Sequence, residues 1–164
     1  MTRDRVALMV ALVAAAAIAG AWAFQLAGYA PCELCLKQRV PYYIGIPLAL
    51  VAFAAARRGA RPLASGALAL AALAFAASAA LGAYHAGVEW KWWPGPSDCT
   101  GAYQAAGSTA DFLKQLQNVA VVRCDEVALR VLGLSLAAWN VLISIALAAL
   151  AAWGVTRPRA APAA

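Results

Sequence analysis

Four cysteines carry most of the chemistry open to this chain, and their spacing divides them into two unlike sets. Cys32-Glu33-Leu34-Cys35 is a CxxC pair that leads straight into an apolar stretch. A thiol in the first turn of a helix faces unpaired amide N–H groups and the positive end of the helix dipole, both of which lower its pKa. On that reasoning Cys35 is expected to be the more activated thiol. Arg39 follows one helical turn later on the same face, where its permanent charge favours a thiolate or an anion developing on a bound acceptor. A CxxC pair by itself leaves three readings open: a redox-active dithiol, a structural disulfide, or part of a metal site. Zinc asks for four converging ligands, and Cys99, Cys124 and His85 do not stand at a zinc-ribbon spacing from the pair, so no metal is expected.

Twenty-four residues lie between Cys99 and Cys124. A bridge of that span is either a loop staple, worth about 3 kcal/mol by chain entropy, or a second exchangeable disulfide that hands electrons to the first. Exchange needs only a thiolate in line with a neighbouring S–S bond. His85 is the only histidine. It reads as an interfacial structural imidazole, or as a group that hydrogen-bonds a carbonyl oxygen of a ligand or relays a proton. Arg39 also fits a snorkelling anchor, and the tryptophans fit an aromatic belt. Asn140 and Ser144, one turn apart, are expected to serve helix contacts. Pro47, with Gly45 and Pro41 nearby, predicts a kink that opens space for a ligand.

The elements that must position these residues follow from composition. Of 164 residues, 65% are hydrophobic and 12% charged, and the mean hydropathy is +0.72. A soluble globule is excluded, because so many apolar residues exceed what a core of this size can hide. The 13 Lys and Arg are scattered, with no basic run carrying interleaved aromatics, so nucleic acid is not an expected partner. Four uncharged stretches, 6–28, 40–56, 63–86 and 131–153, approach the roughly 17–25 residues that span a bilayer as helix. The first follows Arg3 and Arg5 but is longer than the apolar region of about 7–15 residues in a signal peptide, so it is expected to be retained.

Between the second and third stretches, Arg57-Arg58-Gly59-Ala60-Arg61-Pro62 forms a tight basic turn. An even number of spans puts both termini on the side of that turn. Arg3, Arg5, Arg57, Arg58, Arg61, Arg157 and Arg159 then share one side, which is the cytoplasm by the positive-inside rule. All four cysteines and six of the seven acidic residues fall in two outer loops, 29–39 and 87–130. Cysteines confined to the exported side are expected to live as disulfides. In the longer loop, Ser108 to Asp111 resembles a capping box, and Phe112, Leu113, Leu116, Val119 and Ala120 recur at helical spacing. The expected fold is an all-α membrane protein: one integral domain over 1–164, a four-transmembrane-helix bundle with a short amphipathic interfacial helix in the second outer loop.

With these residues in view, the chain resembles the disulfide bond formation protein B (DsbB) family. These are bacterial inner-membrane oxidases that re-oxidise the periplasmic thiol oxidase DsbA with quinone, the established system that keeps the periplasm oxidising. The likeness rests on Pro31 to Cys35 followed by Gln38-Arg39, on Tyr84-His85-Ala86-Gly87-Val88-Glu89-Trp90, on Cys99 and Cys124, and on Leu132-Gly133-Leu134-Ser135 opening the last span. It implies that Cys99 forms the mixed disulfide with a DsbA-like partner, that Cys124 is its mate, and that Cys32 exchanges with Cys124. Cys35 is then the thiol beside the quinone, ubiquinone or menaquinone, with Arg39 supporting a ring oxygen and His85 as a candidate neighbour. The implied reaction is a two-electron relay from partner to quinone that needs no metal or nucleotide. Two other readings compete. In vitamin K epoxide reductase-type proteins the quinone-side CxxC comes late in the bundle, whereas here it precedes the second span. A non-catalytic scaffold with structural disulfides would carry no quinone, and its thiols would be inert.

Overall fold

Long runs of Ala and Leu are strong helix formers. A bilayer reinforces that preference, because every N–H and C=O of a spanning segment must find its partner without water. The computed structural model describes residues 1–96, 108 and 123–158. Among them are four long apolar helices: α1 (Arg3–Leu26), α2 (Glu33–Arg58), α3 (Arg61–Glu89) and α4 (Leu136–Val155). Each is long and apolar enough to cross a membrane, and the chain is an all-α, multi-pass membrane protein. The amphipathic helix expected after Ser108 lies outside the described residues, and so does Cys99.

Two helix starts differ by five residues or more from those expected. α2 begins at Glu33 rather than at 40, because Cys32 caps it: the backbone is extended there (φ −76°, ψ 170°), and the sulfur accepts the Cys35 N–H at 3.3 Å. Glu33 suits the positive end of the dipole, and Lys37 sits 3.5 Å from it one turn on. Cys35 and Arg39 are therefore helical, as their first-turn reading expected, and the loop before α2 ends ahead of Glu33 rather than at 39. α4 begins at Leu136 rather than at 131. Leu132 and Gly133 both have positive φ (52° and 83°) and form the two-residue turn between β1 (Arg130–Val131) and β2 (Leu134–Ser135). Ser135 then caps α4 by accepting the Ala138 N–H at 3.2 Å.

At the other end, Gly59 takes a left-handed φ of 81°, and the Ala60 N–H turns back to the Ala55 carbonyl at 2.9 Å. This is the helix-ending geometry that glycine supplies most easily. It turns α2 into α3, whose first turn holds Pro62. Pro41 and Pro47 lie inside α2, which continues through both.

α3 packs against both α2 and α4, α1 packs on α2, and α1 meets α4. Arg3 ties the termini together, its Nη2 donating to the Val155 carbonyl at 2.8 Å and its N–H to that of Pro158 at 3.1 Å. Lipid tails give helices no hydrophobic drive to associate, so close approach through small residues does that work. The core accordingly contains Ala49, Ala52, Ala67, Ala71 and Ala151 around Val10, Leu68 and Phe75, while Leu12, Leu73 and Ile145 face outward.

Gly45 lies close against a buried ring. A Cβ there would lie 2.5 Å from Phe75 Cζ, and Phe75 is fully buried, edge-on to Tyr42. Gly66, also within a helix, has nothing within 4 Å of such a Cβ. Gly45→Ala is therefore expected to destabilise the detergent-solubilised protein by about 1–3 kcal/mol through overpacking. Gly66→Ala is expected to leave it unchanged or to stabilise it by up to about 1 kcal/mol, the helix preference for Ala over Gly. Thermal melts of the two variants should move in opposite directions.

Candidate functional site

The first turn of α2 sets Cys32 and Cys35 on one helical face. Both are free thiols, and their sulfurs are 2.7 Å apart. Only small side-chain rotations separate this arrangement from a disulfide. The expectation that Cys35 is the activated thiol is corrected by the cap geometry. It is the N-cap sulfur, that of Cys32, which receives the free amide of Cys35. The Cys35 thiol hydrogen-bonds Cys32, and His85 Nε2 stands 3.6 Å from the same sulfur. With the Cys35 hydrogen bond as the largest cause and His85 assisting against the opposing effect of burial, the Cys32 thiol is pulled down to about 5 from the ordinary 9.0.

A pH profile follows directly. In the reduced protein, alkylation of Cys32 by iodoacetamide, followed by mass spectrometry, is expected to show its midpoint near pH 5. The rate should fall below that midpoint as the thiolate takes up a proton. A midpoint above pH 8 would contradict the cap geometry.

His85 is not at a water interface: it is 3% exposed. Gln38 Nε2 donates to its Nδ1 at 2.7 Å, and its Nε2 lies 3.2 Å from the Cys124 carbonyl. Cys124 is disulfide-bonded and buried. It shares one buried cluster with Cys32, Leu34 and Val88, against which Cys35 packs. Beside Cys124, Asp125 is held well below the usual carboxylate range by Arg123 and then Lys91, which ties this segment to the C-terminal end of α3.

Arg39 is more than a snorkelling anchor. Its Nη1 donates to Gln25 Oε1 at 2.7 Å and its Nη2 to the Ala21 carbonyl at 3.3 Å, and the guanidinium lies 5.5 Å from the Trp22 ring. These contacts bind α2 to the C-terminal part of α1. Next to them is a cavity of about 360 Å³ lined by Cys35, Gln38, Arg39 and His85, with apolar walls from α1 and α4 such as Phe24 and Ile143. That volume lies in the range of small-molecule sites, which are mostly apolar with a few placed polar groups. Cys35, Arg39 and His85, singled out from sequence, thus share one cavity, while Cys32 is not among its lining residues.

The ligand atoms of Cys32, Cys35 and His85 all lie within 4.8 Å of one another. Two thiolates on tetrahedral zinc, at Zn–S distances of about 2.3 Å, would stand about 3.8 Å apart. Sulfurs at 2.7 Å suit a dithiol that closes to a disulfide.

Sequence reasoning gave Gln38 no role and passed over Tyr42 and Ser78. Asn140 and Ser144 do serve helix contacts, as expected: Asn140 Nδ2 donates to Gln38 Oε1 at 2.7 Å, and Tyr42 Oη donates to Asn140 Oδ1 at 2.9 Å. Ser144 Oγ donates to Ser78 Oγ at 3.1 Å. The available signal was the presence of amides and hydroxyls inside apolar spans, where unpaired polar groups are costly.

The family model described as disulfide bond formation protein DsbB matches residues 3–154. No curated protein and no solved structure gives a significant match. Since the matched segment opens with α1 and closes only at the last turn of α4, this chain belongs to the DsbB family of membrane disulfide oxidoreductases.

Proposed function

We propose that the protein oxidises a DsbA-like periplasmic thiol oxidase by disulfide exchange and passes each electron pair through two cysteine pairs to a membrane quinone. One observation carries this reading. The two sulfurs of the α2 pair face different surroundings: Cys32 packs with Cys124, and Cys35 lines the cavity beside Arg39.

In the relay, the partner's thiolate attacks Cys99 of a Cys99–Cys124 disulfide and forms a mixed disulfide. The partner's second thiol resolves it, leaving Cys99 and Cys124 reduced. The Cys124 thiolate next attacks Cys32 of the oxidised α2 pair and expels Cys35 as a thiolate into the cavity. Cys99 then attacks Cys124 to restore the loop disulfide, and Cys32 leaves as a thiolate, which suits its low pKa. A quinone accepts the two electrons released when Cys32 and Cys35 close again, takes up two protons and leaves as quinol. The cavity fits such a ring: apolar walls exclude water, and the Arg39 guanidinium offers donors to an oxygen gaining negative charge.

The whole chain, 1–164, acts as one integral domain in the bacterial inner membrane. The bundle end that carries Arg3, Arg57 and Arg58 faces the cytoplasm with both termini, by the positive-inside rule. The cysteines accordingly face the periplasm. The test is anaerobic mixing of detergent-purified protein with a reduced DsbA-like partner and a short-chain quinone, read by the ultraviolet spectrum. Quinone should disappear mole for mole with partner dithiol. Partner thiols that stay reduced would refute the reading.

A further inference from the structure

We propose that Asn140 of α4, acting through Gln38 of α2, is a positioning residue that holds His85 as a single tautomer. In that tautomer the hydrogen is on Nε2 and points at the junction between Cys32 and Cys124. Groups with no choice of role fix the orientation of the rest. The main-chain carbonyl of Ser78 can only accept, and Asn140 Nδ2 lies 3.4 Å from it. The Asn140 amide is therefore turned with its nitrogen toward α3, and its Oδ1 receives the Tyr42 hydroxyl at 2.9 Å. The same nitrogen donates to Gln38 Oε1 at 2.7 Å, which leaves Gln38 Nε2 facing His85 Nδ1, also at 2.7 Å.

An amide nitrogen only donates, so Nδ1 must offer a lone pair and the neutral ring carries its hydrogen on Nε2. Ser78 anchors the network to the α2 backbone, its Oγ donating to the Gln38 carbonyl at 3.4 Å. Gln38, Ser78, His85 and Ser144 are buried, so a reversed amide would have no water to repair its contacts. Two amides in series do not relay protons readily, which makes this chain an orienting device rather than a proton path.

The Nε2–H faces the Cys32 sulfur at 3.6 Å and the Cys124 carbonyl at 3.2 Å. One donor thus spans the two cysteines between which the proposed relay must exchange. The opposite tautomer would turn a lone pair toward both a thiolate and a carbonyl oxygen. The consequence for electron transfer rests on the relay proposed above, whereas the tautomer does not.

His85 is the only histidine in the chain, so ring-¹⁵N histidine labelling gives two nitrogen resonances with no assignment problem. In the reduced, detergent-solubilised full-length protein, Nδ1 is expected at the unprotonated, deshielded position and Nε2 at the protonated one. In Asn140→Leu both resonances should move toward intermediate positions as the tautomers mix. The alkylation midpoint of Cys32 should rise by about one pH unit, a tenfold change in thiolate fraction below the midpoint. Gln38→Met, which removes the donor itself, provides the same two readouts should Asn140→Leu fail to fold. A hydrogen found on Nδ1 in the unmodified protein overturns the proposal. So does a tautomer and midpoint unchanged in either folded variant. Loss of quinone reduction with the expected tautomer intact would count against the relay alone.

Discussion

Cys35→Ser protein, given reduced partner and quinone, is expected to reduce quinone at least about 10³-fold more slowly than the unmodified chain, the scale on which loss of a covalent nucleophile acts. The reason is positional as well as chemical. Cys35 is the sulfur that lines the cavity, whereas Cys32 packs against Cys124 and is not among the lining residues. A serine hydroxyl at position 35 can still hydrogen-bond the Cys32 sulfur, so the first turn of α2 should keep its shape. It cannot close a disulfide, and without that closure no electron pair leaves the protein. The loop pair is untouched, so each molecule should still oxidise one equivalent of partner in a single burst and then stop. That combination, a stoichiometric burst with no turnover, is measured by counting partner thiols and quinone in the same sample. Turnover at the unmodified rate would place the quinone-facing thiol elsewhere.

How far the sequence foretold this site depends on the range of the interactions involved. The helices were legible because a spanning segment is a local feature: an uninterrupted apolar run in a narrow window of lengths. Their starts were less so. Glu33, Lys37 and Arg39 left the first turns of α2 outside the apolar stretch, since hydropathy does not register that a Glu–Lys pair one turn apart favours a helix. Val131 to Leu134 is apolar enough to pass for the start of a span, and only the positive φ at Leu132 and Gly133 reveals a hairpin there. The error over which thiol is activated is of another kind. Cys35 does stand in the first turn, but the free amide there reaches back to the sulfur of the N-cap residue, Cys32.

The polar network was less legible still. Gln38 and Asn140 are 102 residues apart in sequence and 2.7 Å apart in space. Gln38 and His85 are 47 apart in sequence. No window along the chain contains such a pair, and no spacing rule predicts which amide will meet which imidazole. What the sequence did contain was His85 and Asn140 inside apolar stretches, and that alone marks them as groups requiring buried partners.

Arg39→Ala should weaken apparent quinone affinity by about 10- to 100-fold, the loss of one or two hydrogen bonds to a charged group at 1.5–3 kcal/mol. The KM for the reduced partner should stay within about twofold, because in the proposed relay the partner attacks Cys99, 60 residues further along the chain than Arg39. Two roles must be separated in that measurement. Arg39 lines the cavity with Cys35, and it also holds α1 through Gln25 and the Ala21 carbonyl. Gln25→Ala removes one of those ties while leaving the guanidinium in place. It should shift the thermal midpoint in detergent in the same direction as Arg39→Ala, with a much smaller effect on quinone affinity. Arg39→Lys keeps the charge as a compact point on a flexible stem, without the fork that engages Gln25 and Ala21 together. Its quinone affinity should therefore fall between those of the unmodified protein and Arg39→Ala. Equal losses in quinone and partner parameters would assign Arg39 to the stability of the bundle alone. A loss confined to quinone, graded from Lys to Ala, assigns the charge to the ring oxygen.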